Sequence, residues 1–492
     1  PALSAEPNVN GSLLVLNATH ARSRSREAER SVALTESRSS EGQVRVPLAG
    51  VTARIRAWLA DGSHHRIAQK VAGAAFMIRV VSAALIYATQ ILFARWLGSF
   101  EFGIYVYVWT WVMLIGDLSD LGFATAAQRF VPEYTRRRAH DLLRGFLFRS
   151  RWLAVTSATL IAGAGVVAIK LIEPWLASYL VLPLTIACAT LPFYALMQIQ
   201  DGIARSYNWI HLALLPPYIV RHLLMLTLIV AAFLLNFPTD ATTAITAVVV
   251  SFALTVLVQT IVLNRKLARE VEPGPKAYEV KTWFATALPI LMVEGCYLLL
   301  TNTDVLVLQH FRSPDDVAVY YAAAKTLTLI AFVHFAVSAA VAHRFSEYHV
   351  ASDHTRLRTI LADSIRWTFW ASLAATVVIL AMGRPLLSLF GARFVEGYQL
   401  MFILTAGLLA RASVGPVERL LSMLGEQRVC ATIYATAFAL NLALCIVLIP
   451  RFGMQGAAMS TSIALVIESI LLFWITRTRL GFHVFVFGGK GR

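Results

Sequence analysis

Charged side chains inside long apolar runs are the residues of this sequence that could do chemistry. Arg79, Arg221 and Lys325 each lie within such a run. Charged groups inside a membrane are costly, so they usually face a cavity, pair with one another or extend to the interface. In a wet cavity, a lysine or arginine would compensate an anionic group, and arginine would offer two parallel hydrogen bonds. We therefore predict that these three cations bind substrate, with extension to the interface as the alternative.

Acidic residues also occur in apolar runs. Glu294 and Asp304 are ten residues apart in LMVEGCYLLLTNTDVLVLQ, which places them about 80° apart around a helix and therefore near one face. Asp117 and Asp120 lie closer to the end of their run, where helix-end solvation or local pairing is the simpler interpretation. A desolvated carboxylate that takes up H⁺ or Na⁺ can change the balance between conformations. We predict ion coupling for these four residues, with structural ion pairing as the alternative.

Three amide side chains, Gln90, Asn302 and Asn441, could donate hydrogen bonds to polar groups of a ligand in a cleft. Interhelical polar contacts of this kind are common in any membrane bundle and modest in energy. We therefore interpret them first as packing residues and second as substrate-binding residues.

Signatures of metal binding and catalysis are missing from the sequence. The four cysteines lie in apolar runs without CxxC spacing or a nearby histidine ligand pattern. No GxSxG motif or phosphate-binding glycine loop occurs. We expect no catalytic residues, no metal and no cofactor beyond a coupling H⁺ or Na⁺.

The elements that must position these residues are membrane helices. The chain is 58% hydrophobic and 14% charged, whereas soluble proteins carry about 25% charged residues. A span requires about 20 predominantly apolar residues. The sequence predicts an all-α, polytopic protein of about twelve spans, at 72–94, 103–124, 152–172, 175–198, 212–235, 241–263, 283–309, 317–341, 365–382, 397–415, 430–449 and 454–475.

Positive charge is distributed unevenly between the two ends of the predicted spans. With the N-terminus inside, the cytoplasmic connections and the C-terminus hold 21 lysines and arginines, and the opposite connections hold six. Cytoplasmic loops are enriched in these residues. The distribution predicts cytoplasmic N- and C-termini and an even number of spans. Since it also accounts for much of the net charge of +15, no nucleic-acid partner is expected.

Two parts of the chain are similar at an offset of 215 residues. FGIY at 102–105 aligns with VAVY at 317–320, and an Arg-Phe pair recurs at 129–130 and 344–345. Parallel repeats are typical of transporters that rock one half against the other. The predicted domains are a disordered cytoplasmic tail at 1–66, a six-helix half at 67–265, a cytoplasmic linker at 266–282, a second six-helix half at 283–480 and a cytoplasmic tail at 481–492.

Several segments resemble a known family. FARWLGSFEFGIYVYVWTWVMLIGDLSDLGFATAAQRFVPEY, TNTDVLVLQHF with SPDDVAVYYAAAK, and NLALCIVLIPRFGMQGAAMSTSIA resemble polysaccharide exporters of the multidrug, oligosaccharidyl-lipid and polysaccharide export superfamily. The resemblance covers about 70–480 and implies a V-shaped bundle around a central cleft. It also implies an acidic position at Asp304. Similar members are flippases that carry a polyprenyl-pyrophosphate-linked oligosaccharide from the cytoplasmic to the periplasmic leaflet.

The resemblance implies a monomeric flippase of the bacterial inner membrane for an O-antigen, capsule or exopolysaccharide unit. Its expected partners are the lipid-linked oligosaccharide, membrane lipids and polysaccharide polymerase or export machinery. The first alternative is a cation-coupled drug or metabolite antiporter of the same superfamily, whose cleft should be dominated by carboxylates and aromatic rings. A glycan polymerase or ligase, which would normally need a large periplasmic loop, and a non-transporting scaffold are further alternatives.

Overall fold

The computed structural model describes residues 64–328, 354–423, 426–481 and 484–487, with single residues 330, 337 and 341. Within these residues every regular element is a helix, which confirms the predicted all-α fold. Contacts divide the chain into Pro1–Lys70 and Val71–Arg492, and the contacts discussed below lie within the second unit. Of the predicted tail at 1–66, residues 1–63 lie outside the described part of the chain.

From residue 64 to the predicted linker, the structure describes eight helices. They are α1 (His64–Ser119), α2 (Phe123–Arg136), α3 (His140–Ile172), α4 (Ser178–Cys188), α5 (Thr190–Ser206), α6 (Ile210–Leu215), α7 (Arg221–Leu234) and α8 (Ala241–Glu270). A 3₁₀ turn at Glu173–Trp175 follows α3, and a π-helical turn at Pro216–Val220 joins α6 to α7.

The region after the linker contains eight more described helices. They are α9 (Val280–Phe311), α10 (314–328), α11 (His354–Ala381), α12 (Gly383–Ser388), α13 (Tyr398–Val414), α14 (Val417–Met423), α15 (Gln427–Phe452) and α16 (Met454–Leu480). A 3₁₀ turn at Ala392–Gly397 precedes α13.

The described residues contain nine helical stretches long and apolar enough to span a membrane, or ten if the bent pair α4–α5 forms one span. The stretch Met77–Arg136 has 60 residues. At 1.5 Å per residue it would be about 90 Å long if straight, three times the thickness of the hydrocarbon core. A helical stretch of this length is enough for two crossings, in agreement with the two spans that the sequence predicts at 72–94 and 103–124. The predicted eighth span, 317–341, lies partly outside the described residues.

Glycine breaks these long helices where the backbone must turn. Gly98 interrupts α1 with φ 75° and ψ 172°, and Gly453 separates α15 from α16 with φ 58°. Residues with a Cβ rarely adopt positive φ, whereas glycine does so at little cost. Both breaks fall between spans that the sequence predicted separately.

The outer surface of the bundle is apolar. Leu160 is 75% exposed, Trp367 is 72% exposed and Trp474 is 61% exposed. Large apolar side chains on the outside of a helical bundle are compatible with contact with lipid, and each helix pairs its own backbone N–H and C=O groups. The exposed side chains thus agree with the apolar spans in identifying a multi-pass membrane protein.

The helices before and after the linker meet at the start of α10. A Cβ on Gly103 would lie only 1.8 Å from the carbonyl oxygen of Pro314, so the two backbones touch. Arg95 donates to the carbonyl oxygens of Ser388 and Leu389 at 2.7 and 2.6 Å. We call this region, residues 95–103 of α1 with 314–315 and 388–393, the contact end. Beside it, Phe102 of the first repeated segment packs edge-on against Tyr321, the residue that follows the second repeated segment at 317–320.

A second set of contacts involves the beginning of α9. The indole N–H of Trp283 donates to the hydroxyl of Tyr134 on α2 at 2.9 Å, and Phe123 packs edge-on against Phe284. A Cβ on Gly122 would lie 2.5 Å from the carbonyl oxygen of Ala287. The first turns of α9 therefore pack against α2, while its later turns pack against α15.

Candidate functional site: a cavity lined by membrane helices

A cavity of about 720 Å³ opens among α9, α10, α13, α14, α15 and α16, and Met113 of α1 and Ser372 of α11 also line it. Most of its surface is apolar. Its charged and aromatic lining residues are the cations Lys325, Arg411 and Arg419, the acids Glu294, Asp304 and Glu418, and the tyrosines Tyr297, Tyr320, Tyr321 and Tyr434. The structure thus brings four of the predicted site residues, namely Glu294, Asn302, Asp304 and Lys325, to one cavity.

Asp304 is buried and held by three donors. The hydroxyl of Tyr320 donates to its Oδ2, the hydroxyl of Thr461 donates to the same oxygen at 2.8 Å, and the backbone N–H of Val305 donates to Oδ1 at 2.8 Å. These donors come from α9, α10 and α16. Hydrogen bonds from three directions fix the orientation of the carboxylate.

Lys325 and Arg419 line the cavity without a close counter-ion. The ammonium of Lys325 lies 4.9 Å from the ring centroid of Tyr321. Among the described residues, no carboxylate lies within 4 Å of either cation, although Asp304 and Glu294 are near enough to act at longer range. A lysine over an aromatic face is attracted by the ring quadrupole, but that interaction leaves its N–H donors available.

Arg411 joins four helices at the cavity wall. Its Nη2 lies 2.6 Å from Glu418 Oε2 and 3.8 Å from Glu468 Oε1. Its Nη1 donates to the hydroxyl of Tyr297 at 3.2 Å, and Tyr434 donates to Glu418 Oε2 at 2.7 Å. The arginine on α13 is thereby connected to α9, α14, α15 and α16. Sequence reasoning missed Arg411 and its connection to these acids.

Glu468 differs from Glu418 in its surroundings. Its side chain is fully buried, and neither carboxylate oxygen has a hydrogen-bond partner among the described residues. Glu418 is partly exposed and receives hydrogen bonds from both Arg411 and Tyr434. Arg411 is therefore the close positive charge that compensates Glu468.

Arg221 lies away from this cavity, inside the helices before the linker. Its guanidinium is 4.6 Å from the ring centroid of Phe252 and 5.5 Å from that of Trp109. Its Nε donates to the carbonyl oxygen of Pro217 at 3.2 Å. The backbone N–H of Arg221 donates to the carbonyl oxygen of Pro216, five residues earlier, which is the hydrogen-bond pattern of a π turn. In the described part of the chain this buried cation has no carboxylate within 4 Å.

Arg79 is half-buried and stacks on Tyr218, with 4.4 Å between its guanidinium carbon and the ring centroid. It acts at longer range on Asp201, which forms a two-pronged ion pair with Arg205 at 3.0 and 2.5 Å. Arg79 does not line the 720 Å³ cavity. The three cations predicted to bind substrate therefore do not converge on one site in this conformation.

The predicted coupling acids occupy different environments. Asp120 accepts from the backbone N–H groups of Gly122 and Ala124 at 2.8 and 3.2 Å, and so shapes the turn into α2. Asp117 accepts from Tyr194 and Gln198, each at 2.9 Å. These contacts give both residues a structural role, in agreement with the alternative interpretation. Their coupling role stays a prediction.

Glu294 of α9 lines the cavity and is exposed. It accepts a hydrogen bond from Thr125 of α2 at 3.1 Å. The contact links helices on either side of the linker. Glu294 and Asp304 both line the cavity, as their spacing on one helix predicts. Asp304 accepts hydrogen bonds from three donors, whereas Glu294 accepts one, from Thr125.

The three amides are separated as well. Asn302 lines the cavity and donates to the carbonyl of Leu298 at 2.9 Å. Asn441 is fully buried outside the lining and donates across to the carbonyl of Leu300 on α9 at 2.9 Å. Gln90 is buried, and its Oε1 has no hydrogen-bond partner among the described residues. Asn441 has the geometry of a packing residue, whereas Asn302 has access to the cavity.

The signal for Arg411 and Glu468 was present in the sequence. Arg411 lies inside the predicted span 397–415, and Glu468 lies inside 454–475. The rule that selected Arg221, a charge within an apolar run, selects both of them. Their pairing was not readable, because 57 residues separate them and the contact depends on how α13 packs against α16.

Comparisons with known proteins support the resemblance. The family model described as polysaccharide biosynthesis protein matches residues 70–349, which is more than half of the chain. A second model, MatE, matches residues 289–447. The two matches together cover most of the membrane region.

Two curated relatives align over part of their length. A putative O-antigen transporter of Shigella flexneri is 24% identical over 174 residues, which are 35% of this chain and 41% of that protein. A probable low-salt glycan biosynthesis flippase of Haloferax volcanii is 21% identical over 169 residues, 34% of this chain and 36% of that protein. This chain thus aligns with about two fifths of each relative.

Solved structures share the fold over most of the chain. An inward-facing multidrug resistance MATE family transporter of the MOP superfamily has a TM-score of 0.68, is 14% identical, and the match covers 82% of this chain and 98% of that one. The lipid II flippase MurJ in an inward closed conformation has a TM-score of 0.64 at 14% identity, with 82% and 87% covered. The fold and the family match agree, and the chain belongs to the polysaccharide biosynthesis protein family of membrane proteins.

Proposed function

We propose that this protein is a flippase that moves a polyprenyl-pyrophosphate-linked oligosaccharide from the cytoplasmic to the periplasmic leaflet of a bacterial inner membrane. The glycan would be an O-antigen, capsule or exopolysaccharide unit. The two curated relatives, described as an O-antigen transporter and a glycan flippase, support this class of substrate. Alternating access of the helices before and after the linker would expose the cavity to each side in turn.

The observation that carries the proposal is the presence of Lys325 and Arg419 in the cavity without a carboxylate within 4 Å among the described residues. A charged group in hydrocarbon is costly unless it is compensated. The two cations in the cavity lining supply the compensation that a pyrophosphate requires, and arginine can contact two phosphoryl oxygens at once. The polyprenyl tail can stay in the bilayer while the head group occupies the cavity.

The same cavity is less suited to an organic cation. Its acids are already engaged, since Asp304 accepts from three donors and Glu418 is paired with Arg411. Four tyrosine rings line the wall, and these can stack on sugars as well as on cations. An antiporter for organic cations would need a carboxylate that is available to the substrate, and among the described lining residues only Glu294 comes close to that description.

Coupling to H⁺ or Na⁺ forms part of the proposal. Asp304 connects α9, α10 and α16 through its three donors, so a change in its charge would alter contacts among three helices. Glu294 would act at the second position through its hydrogen bond to Thr125. A cation that binds one conformation better than the other shifts the balance between them.

Complementation of a strain that lacks its O-antigen flippase tests the proposal. The Lys325→Gln and Arg419→Gln variants are each expected to lower surface glycan by about tenfold or more, since a hydrogen bond to a charged group contributes about 1.5–3 kcal/mol. The Arg428→Gln variant is the matched control. Arg428 is exposed in the first turn of α15 and does not line the cavity. The Arg428→Gln variant should therefore retain wild-type translocation.

Three outcomes would contradict the proposal. Wild-type translocation by the Lys325→Gln, Arg419→Gln double variant would remove the role of the two cations. Resistance to organic cations without glycan translocation would favour the antiporter. A change in the covalent structure of the recovered lipid-linked glycan, measured by mass spectrometry, would indicate an enzyme, because a flippase leaves that structure unchanged.

A further inference from the structure

We propose that Arg411 exchanges its carboxylate partners for a phosphoryl group of the substrate, and that the abandoned Glu468 then takes up a proton. This inference rests on the proposed function and deepens it, since it assigns an anion-binding site and couples proton uptake to occupancy of that site. Lys325 and Arg419 are available to an anion at all times, whereas Arg411 becomes available only when it leaves Glu418 and Glu468.

The first step is the position of Arg411. Its side chain lines the cavity, yet its guanidinium is held by Glu418 at 2.6 Å and by Glu468 at 3.8 Å. A diphosphate entering the cavity carries more negative charge than one carboxylate and presents oxygens that match the arginine fork. The anion therefore competes directly with Glu418 and Glu468 for Arg411.

The second step is the difference between the two acids. Glu418 keeps the hydroxyl of Tyr434 at 2.7 Å and is partly exposed, so it tolerates the loss of the arginine. Glu468 is fully buried, and its oxygens have no hydrogen-bond donor in the described part of the chain. Breaking a buried ion pair by removing one partner leaves an uncompensated charge and costs about 3–5 kcal/mol.

The third step is the protonation of Glu468, which removes the uncompensated charge. Besides Arg411, the charged or titratable groups of the described residues that face Glu468 are Glu418 and Tyr434, and neither is a cation. A proton from solvent in the cavity would add to a carboxylate oxygen of Glu468, which becomes neutral while Arg411 binds the anion. When the anion leaves, Arg411 returns and Glu468 gives up the proton.

Calorimetry on the purified, full-length protein in detergent tests the inference. Farnesyl diphosphate serves as the probe, and each titration is repeated in two buffers of different ionisation enthalpy. The difference in heat between buffers gives the number of protons taken up on binding. Glu468→Gln is expected to bind the probe but to take up fewer protons than wild type, by about one. Protonation of the probe itself is common to both proteins and cancels.

Two further variants complete the design. Glu418→Gln is the matched control, and it should keep the wild-type proton uptake because Glu468 is unchanged. Arg411→Lys keeps the positive charge beside Glu468 but loses the two-pronged geometry, and about tenfold weaker binding of the probe is expected. This variant guards against simple misfolding, which Arg411→Ala could cause by leaving Glu468 uncompensated.

The outcomes separate this inference from the proposed function. Equal proton uptake by wild type and Glu468→Gln, with binding intact, would overturn the role of Glu468 and leave the flippase proposal standing. Unchanged affinity in both Arg411→Lys and Arg411→Ala would overturn the role of Arg411 in the same way. Absence of probe binding by wild type, together with failure to translocate any lipid-linked glycan, would overturn both proposals.

Discussion

The Gly103→Ala substitution is expected to open the contact end. The Cβ of alanine would lie 1.8 Å from the carbonyl oxygen of Pro314, whereas ordinary contacts begin at 3.4 Å. The obstacle is backbone, so no side chain can rotate away. The start of α10 and this part of α1 must therefore separate, or the conformation must change to one in which they are already apart.

The size of the effect follows from the cost of overpacking. An added methyl in a close-packed contact typically costs about 1–3 kcal/mol. If the clash exists only when the contact end is closed, the ratio of closed to open molecules falls by about 5- to 150-fold. Alanine also gains up to about 1 kcal/mol of helix propensity over glycine. That gain applies to both conformations as long as the helix persists, so it does not alter their ratio.

Distance measurements by electron paramagnetic resonance provide the assay. Spin labels would replace Trp175 and Met382, which are 85% and 51% exposed and lie in connections on opposite sides of the linker. The four native cysteines would be replaced first. We expect Gly103→Ala to increase the population with a longer distance between labels.

Two control variants make the result specific. Gly163→Ala adds a methyl where nothing lies within 4 Å, so the stability should not fall and the distance between the labels should not lengthen. Gly202→Ala places a Cβ 2.1 Å from the carbonyl oxygen of Ala124, within the helices before the linker. It should lower thermal stability without lengthening the distance. An unchanged distance distribution in Gly103→Ala, at unchanged stability, would refute the assignment of a closed contact end.

Two further predictions concern residues that the structure places outside the cavity's binding surface. Asp120→Ala should lower the stability of the detergent-purified protein by about 0.5–2 kcal/mol through the loss of its two backbone hydrogen bonds at the start of α2. Its probe affinity and proton uptake should remain at wild-type values, and a loss of proton uptake would restore the ion-coupling role. Asn441→Leu should cost less, about 0.6 kcal/mol, because it removes one interhelical hydrogen bond to Leu300. Glycan translocation should persist, and its loss in a stably folded variant would support the substrate-binding role.

The sequence predicted the fold class because membrane burial acts on each segment by itself. A run of about 20 apolar residues must cross the bilayer whatever its neighbours do. The breaks at Gly98 and Gly453 fall between predicted spans, and the bent pair α4–α5 covers the predicted span 175–198. Of the segments quoted for the family resemblance, those at 93–134, 301–311 and 313–325 lie within the first family model, and the last, at 441–464, only overlaps the end of the second model at residue 447. The division into two six-helix halves stays a prediction.

The candidate site was predicted in part. Helical geometry places Glu294 and Asp304 about 80° apart around α9, so their arrival at one cavity follows from local spacing. Asn302 is about 160° from Asp304 around the helix, so its place in the lining does not follow from spacing. Lys325 joins them because α10 packs beside α9. The same argument could not place Arg79 and Arg221, which lie among the helices before the linker and contact aromatic rings.

Apolar segments, their order and the few charges within them were determined by the sequence alone, because the cost of placing a residue in hydrocarbon is a property of that residue and its immediate neighbours. Which charges meet was decided only by the tertiary structure. Arg411 reaches Glu418 seven residues away, Glu468 on α16 and Tyr297 on α9, and those contacts depend on the rotation and crossing of four helices. Side-chain contacts at 3–4 Å are set by packing, which no local pattern of hydrophobicity specifies.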